Sequence, residues 1–329
     1  MTQLNLSALA LLSLALAACG SGDPAFGTAH PPTRLVASVN SVHGTPVNAL
    51  GLTPPNFAAV QGTTSDLLIG PTSPVINPAP MTIYSVMPNG DLKWNQFSGN
   101  DNGEGTWAVP YGKVIGTGWS NLKQVFTAGN NNTLFAVTPN GDLKWNQYYG
   151  EYRGKSTWAA LHGVVLGTGW GDARQVFADT TGAFYALMPN GELKWNRNFG
   201  FNRGTAEWEF SHGKVIGTGW GDVRLVFTGS NGVIYTVMPN GELRWNRYDG
   251  YGSGAGSWAS TYGKVIGTGW GNVTQAFASG NGVIYAVMSN GDLKWNRFSG
   301  EVTGEGVWSS PYGKVVGTGW NTAVKVLGY

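Results

Sequence analysis

Residues 233–270 read VIYTVMPNGELRWNRYDGYGSGAGSWASTYGKVIGTGW, and this pattern occurs five times between residue 82 and the C-terminus. Three tryptophans mark each copy, so that all 15 tryptophans of the chain fall into three columns of five. We call them the strand tryptophans (Trp94, Trp145, Trp195, Trp245, Trp295), the loop tryptophans (Trp107, Trp158, Trp208, Trp258, Trp308) and the GTGW tryptophans (Trp119, Trp170, Trp220, Trp270, Trp320). A constant period of about 50 residues indicates a repeat architecture.

Turn residues divide each copy into strands. The pair Asn240-Gly241 predicts a two-residue hairpin with a type I′ turn, and the same pair recurs in every copy. It joins an apolar run at 233–238 to a strand at 242–247 in which Leu and Trp share one face. Two more strands are expected around 264–267 and 274–278, which gives four strands per copy and no helical periodicity.

Five four-stranded units predict an all-β fold, a five-bladed β-propeller of antiparallel blades that spans residues 81–329. A β-solenoid has much shorter rungs. The first copy lacks its leading strand, and the last Gly-Thr-Gly-Trp is followed by one spare strand, residues 323–329. We expect this C-terminal strand to complete the first blade and close the ring, which removes free sheet edges. A closed ring of this kind is expected to be a monomer.

The composition excludes some functions. The chain has 51 glycines, only 12% charged residues and a net charge of +2. No block of Lys or Arg appears, so nucleic acid is not expected as a partner.

The N-terminal 18 residues contain an apolar run that ends in small residues, which is typical of a signal peptide and too short to span a bilayer. The single cysteine follows in Leu16-Ala17-Ala18-Cys19-Gly20, which resembles the lipobox of bacterial lipoproteins. The resemblance predicts lipidation of Cys19 and a membrane contact through that anchor, on the outer membrane or cell surface. The alternative is an ordinary signal peptide with an incidental cysteine. Residues 19–80, rich in proline, are predicted to be a tether.

Catalytic and metal sites are not expected. An enzyme needs a unique cluster such as paired carboxylates, and the ring repeats its carboxylates singly, just after each hairpin turn. The only histidines of the repeats, His162 and His212, occupy equivalent places in different copies. We therefore predict no catalytic residues, no metal and no cofactor.

Sugar binding requires a flat aromatic face and a few polar groups, and the repeats supply both. The strand tryptophans alternate with Leu and are expected in the core. The GTGW tryptophans are expected either to wedge blades together or to line the cleft between blades. The loop tryptophans are expected either to contact the ligand or to latch their variable, Gly-rich loops. A further column of aromatic rings with polar tips suits a hydrogen bond to a sugar or to neighbouring backbone: Tyr111, His162, His212, Tyr262 and Tyr312.

The segments Gly269–Phe277, Gly282–Val287 and Asn290–Leu293 resemble the blades of the tachylectin-2 family, and the likeness extends over residues 82–329. The resemblance implies a five-bladed lectin that binds N-acetylated hexosamines such as GlcNAc or GalNAc, with one site per blade set between neighbouring blades. Glycans are thus the expected partners. The alternative function is a protein-binding scaffold of an envelope complex, and a hydrolase is the third.

Overall fold

The computed structural model describes residues 80–328, apart from 129–131, 151–153, 155, 156, 161 and 210–212. The predicted signal peptide, Cys19 and nearly all of the tether lie outside the described residues. No helix within the described residues is long and apolar enough to cross a membrane.

The described residues form twenty short strands. In chain order they are β1 (Met81–Val86), β2 (Leu92–Phe97), β3 (Lys113–Gly116), β4 (Gln124–Thr127), β5 (Thr133–Val137), β6 (Leu143–Gln147), β7 (Val164–Gly167), β8 (Gln175–Ala178), β9 (Ala183–Leu187), β10 (Leu193–Arg197), β11 (Lys214–Gly217), β12 (Leu225–Thr228), β13 (Val233–Val237), β14 (Leu243–Arg247), β15 (Lys264–Gly267), β16 (Val273–Gly280), β17 (Val283–Met288), β18 (Leu293–Arg297), β19 (Lys314–Gly317) and β20 (Lys325–Gly328). Short 3-10 helices cover Trp119–Asn121, Trp170–Asp172, Asp249–Gly252, Trp270–Asn272 and Trp320–Thr322.

The strands pair into five antiparallel sheets of four, which confirms the predicted five-bladed propeller. The first blade has the order β20-β1-β2-β3, and the second to fifth blades are β4–β7, β8–β11, β12–β15 and β16–β19. We call β20, β4, β8, β12 and β16 the inner strands, because each contacts the inner strands of both neighbouring blades around one central channel. The strand farthest from the channel is the outer strand of its blade.

The hairpin turns differ from the predicted two-residue type I′ form. In the fourth blade the Gly241 N–H donates to the Met238 carbonyl at 2.9 Å, and the Met238 N–H donates to the Glu242 carbonyl at 2.8 Å. Gly241 has a φ of 81°, whereas Asn240 stays in the negative φ region. Pro239 fixes the negative φ of a type I turn, so the glycine alone takes the left-handed position. The same two hydrogen bonds recur in all five hairpins.

The strand tryptophans form the core between blades, as expected, and each is at most 4% exposed. A glycine from a loop of the next blade covers each indole face. At Gly254 an added Cβ would lie 2.3 Å from a ring carbon of Trp195, and at Gly304 it would lie 2.5 Å from Trp245. The five glycines (Gly103, Gly154, Gly204, Gly254, Gly304) all have a φ between 54° and 73°. Only glycine satisfies both the close approach and the left-handed backbone.

Glutamine side chains link the inner strands, which share no ladder with each other. Gln124 donates to the Ala173 carbonyl and accepts from the Val176 N–H in the next blade. Gln275 makes the equivalent pair of bonds to the inner strand of the first blade, with Ala323 and Val326. These bonds satisfy backbone groups that a sheet edge would otherwise leave open.

The ring closes in the first blade. Strand β20 pairs with β1 in antiparallel register, from Ile83 opposite Gly328 to Val86 opposite Lys325. The Val324 N–H adds a bond to the Val86 carbonyl at 2.8 Å. Val326 and Leu327 are at most 3% exposed in the clusters that border the fifth and second blades. The C-terminal strand therefore supplies both a ladder and core side chains.

Deletion of residues 322–329 is expected to abolish cooperative folding, because it removes the inner strand of the first blade and exposes β1 as an edge. Calorimetric unfolding of the truncated protein measures this. Val324→Ser is the matched control, since that side chain is 60% exposed and its backbone bond is kept. An unchanged melting temperature after the deletion would contradict the closure.

Candidate functional site

The backbone places each GTGW tryptophan at the end of its blade, beside the hairpin turn. In all five blades its N–H donates to the carbonyl of the hairpin glycine, at 2.9–3.0 Å, as from Trp270 to Gly241. The residue before it is a glycine with a φ between 77° and 81°. Trp119 and Trp270 are 9% exposed, and the other three are partly exposed. The position of the ring is thus fixed by backbone rather than by burial alone.

Each loop tryptophan crosses to the preceding blade. Its indole Nε1–H donates to a carbonyl of the outer strand there, from Trp208 to Leu166 at 2.6 Å and from Trp258 to Ile216 at 2.6 Å. Trp107, Trp158 and Trp308 make the same bond to Val316, Ile115 and Ile266. These five bonds support the latch interpretation of the column, and each ring also keeps a partly exposed surface.

The two columns meet at every blade junction. Each loop tryptophan lies against the GTGW tryptophan of the preceding blade, with ring centroids 5.2–5.9 Å apart and planes inclined by 35–47°. The first glycine of Gly-Thr-Gly-Trp lies beside the pair. An added Cβ at Gly317 would be 2.5 Å from Trp320 Nε1 and 3.5 Å from Trp107 Cζ2. The result is five equivalent blade junctions, each with a packed, partly exposed pair of indoles.

The indole N–H groups divide their roles. Those of the loop tryptophans are used between blades, whereas those of the GTGW tryptophans have no acceptor among the described residues and are not sealed from solvent. The threonine of each Gly-Thr-Gly-Trp is exposed and also has no side-chain partner in the described part of the chain: Thr117, Thr168, Thr218, Thr268 and Thr318. Each junction therefore offers an aromatic surface, an N–H donor and a hydroxyl.

These threonines and the adjacent first glycines were not among the predicted site residues. The signal was present in the sequence, because Gly-Thr-Gly-Trp is identical in all five copies while the loops around it vary. The pairing of the loop and GTGW tryptophans across blades was not visible in the sequence, since they come from different copies.

The column of polar-tipped rings lies apart from the tryptophan pairs. Tyr111, Tyr262 and Tyr312 are 88%, 81% and 82% exposed, and His162 is exposed as well. None of these four side chains makes a ring contact or hydrogen bond within the described residues. They do not seal a buried backbone group, so that alternative lacks support. His212 lies outside the described residues.

Two acidic side chains of the described residues, Glu242 and Asp179, are held by local hydrogen bonds. No group of three His, Cys, Asp or Glu residues is placed to hold a metal ion there. Arg244 and Asn240 hydrogen bonds lower the pKa of Glu242, one of the recurring hairpin carboxylates, and keep it ionised. Burial raises the pKa of Asp179, but Thr181, Ala183 and Tyr185 all donate to it within its own turn. That carboxylate holds the turn.

Because only the loop tryptophans donate their indole N–H to another blade, Trp→Phe changes in the two columns are expected to lower the free energy of unfolding by different amounts. Trp208→Phe leaves the Leu166 carbonyl without its donor and is expected to lower the free energy of unfolding by about 1–3 kcal/mol. Trp220→Phe keeps a ring in place and loses no protein hydrogen bond, so it serves as the matched control with a smaller loss. Urea unfolding of both variants measures the difference. Equal losses would contradict the interblade role of the loop tryptophans.

Comparison with known proteins gives one family. No curated protein matches the chain. Among solved structures, the chain is similar to a symmetrical protein from work on de novo evolutionary emergence and folding constraints, at 20% identity, a TM-score of 0.47 and coverage of 75% of this chain and 97% of that one. It is also similar to the SapL1 lectin in complex with alpha methyl fucoside, at 14% identity, a TM-score of 0.36 and coverage of 70% and 76%.

A third similar structure is the periplasmic gluconolactonase PpgL of Pseudomonas aeruginosa, at 13% identity, a TM-score of 0.35 and coverage of 76% and 69%. All three TM-scores lie below 0.5, so nothing about ligand or activity follows from them. The family model named Tachylectin matches residues 85–325, which cover most of the propeller and well over half of the chain. Family membership supports carbohydrate binding as the general activity of the ring, and the chain belongs to the tachylectin family.

Proposed function

We propose that this protein is a multivalent lectin that binds N-acetylated hexosamines such as GlcNAc and GalNAc, with one site at each blade junction. The observation that carries the proposal is the fivefold repetition of a packed, partly exposed indole pair, which we call a cleft. In each pair one indole N–H has no acceptor among the described residues. Sugars bind against such surfaces because the apolar side of a pyranose covers an aromatic ring while its hydroxyls take fixed donors. Membership of the tachylectin family supports the same activity.

The residues of a junction have separate roles in this proposal. The GTGW tryptophan, such as Trp220, offers both its ring and its Nε1–H to the ligand. The loop tryptophan of the next blade, Trp258, holds the cleft closed through its bond to Ile216 and adds the partly exposed edge of its ring. The exposed Thr218 hydroxyl supplies a second polar contact. Tyr262 lies on the surface, where it can meet a longer glycan rather than the first sugar ring.

Five such sites on one rigid ring favour binding to a glycan-coated surface. A single small cleft binds a monosaccharide weakly, but neighbouring sites on one molecule meet further sugars at high effective concentration. The near identity of the five junctions argues against the protein-scaffold alternative, because a protein partner selects one asymmetric patch. The hydrolase alternative has less support, because Asp179 is bound by four donors of its own turn.

The same proposal includes an anchor. A lipid on Cys19 would attach the ring to an outer membrane or cell surface, and the Pro-rich residues 20–80 would hold it away from the bilayer. Several acyl chains on one cysteine suffice for stable attachment, because each buried methylene adds about 0.8 kcal/mol.

Titration calorimetry with GlcNAc and GalNAc is expected to show saturable binding near five sugars per chain. Trp220→Phe removes one N–H donor and is expected to reduce the number of occupied sites to near four, because that junction binds at least about tenfold more weakly. Val302→Ser, a change at an exposed loop position, is the control with unchanged stoichiometry. No binding to these sugars or to any member of a glycan array would overturn the lectin proposal and favour a protein partner.

The anchor is tested by Cys19→Ser. The unaltered protein is expected in the membrane fraction with incorporated labelled fatty acid, whereas the variant is expected in the soluble exported fraction without label. Equal membrane retention of both proteins would overturn the lipid anchor without affecting the sugar proposal.

A further inference from the structure

The five inner strands enclose a central channel with a cavity of about 570 Å³. Cavities of this size accept small organic molecules. Four charged side chains line it: Lys123, Arg174, Asp179 and Lys325. Three of these charges come from the second and third blades, and Lys325 comes from the inner strand of the first blade, β20.

Three of the four charged side chains form hydrogen bonds with protein groups. Arg174 donates to the Gly221 carbonyl at 2.5 Å and to the Val223 carbonyl at 2.7 Å. Lys123 donates to the Gly171 carbonyl. Asp179 accepts hydrogen bonds from its own turn, the shortest of them from the Thr181 hydroxyl at 2.6 Å. These partners are neutral, and none of the three side chains forms an ion pair with Lys325 within the described residues.

Lys325 differs from its equivalents in the ring. The matching position is Gln124, Gln175 and Gln275 in three blades and Leu225 in the fourth. Each glutamine donates to a carbonyl of the next blade. The Lys325 ammonium makes no hydrogen bond or ion pair within the described residues. Lys325 is partly buried in the channel wall, and this burial lowers its pKa.

A partly desolvated cation without a counter-charge is unfavourable, and an anion that enters the cavity would relieve that cost. The lining also includes the Ser120 and Trp119 side chains at the junction of the first and second blades. A carboxylate against the ammonium, with the rest of the molecule against the Trp119 ring, would use all three groups.

We propose that the central channel is a second binding site, which takes a small carboxylate of about monosaccharide size through an ion pair with Lys325. This site differs from the five clefts in its ion pair with Lys325, although it shares Trp119 with one of them. It does not depend on the proposed lectin activity. It occurs once per chain, because only the first blade has a lysine at this position.

The pH dependence has a definite sign. The ion pair needs the protonated ammonium, so binding is lost as the pH rises through the pKa of Lys325, and burial lowers the pH at which this loss begins. The other charged groups that face the cavity are Lys123 at the start of the second inner strand and Arg174 and Asp179 at the two ends of the third. All three are engaged with protein donors or acceptors.

The test uses sodium glucuronate as the probe and glucose as its neutral counterpart, measured by thermal shift and calorimetry on the full chain at constant ionic strength. Glucuronate is expected to bind once per chain and to raise the melting temperature, and glucose is expected to leave the channel empty. Lys325→Gln and Lys325→Met should each weaken glucuronate binding by about tenfold or more. Glutamine already occupies this position in three other blades, so the first variant is expected to fold.

Two further variants separate this site from the clefts. Leu225→Gln changes the equivalent position of the fourth blade and should leave glucuronate affinity unchanged. Trp220→Phe alters a cleft and should also leave it unchanged. Equal glucuronate affinity of the unaltered protein and Lys325→Gln, or no glucuronate binding at all, would overturn the channel site.

Discussion

The contact on which the ring depends is the one between each strand tryptophan and the glycine of the next blade's loop. The indole is buried, and its face is so close to the glycine that no other residue fits. In three junctions the indole N–H also donates to a carbonyl of that same loop, as from Trp245 to Glu301 at 2.7 Å. One side chain therefore fixes both the spacing and the angle between blades, and the five junctions together fix the number of blades.

Much of the fold could be predicted from the sequence because each structural signal occurs in five copies. The period, the four strands and the closing strand all follow from the chain's own copies. The turn type could not be read from Asn-Gly alone, since each hairpin turn begins one residue earlier, so that its central residues are Pro or Ser and Asn rather than Asn and Gly. The tryptophan pairs were also out of reach, because partners such as Trp208 and Trp170 belong to neighbouring copies and the sequence does not state which loop crosses a junction.

The junctions combine two tasks that are usually separate. The loop tryptophan donates its N–H to the preceding blade, whereas the N–H of the GTGW tryptophan has no acceptor among the described residues. A ring of five such pairs can thus be stable and receptive at the same positions. Among the inner strands the repeat is less regular: Leu225 and Lys325 replace the glutamine that the other three blades have at this position. Symmetry is kept where a repeated ligand would bind and is relaxed around the channel.

The seam of the first blade has a mechanical consequence. Strand β1 lies between β20 and β2, so it is held by a ladder on each side. A force applied to the chain ahead of residue 80 enters the ring at this strand. To pull it out, the force must shear both ladders together instead of unzipping an edge strand one bond at a time. The C-terminal strand thus reinforces the strand by which the chain enters the ring, and a load on the N-terminal segment acts on the blade in which the first and last strands pair.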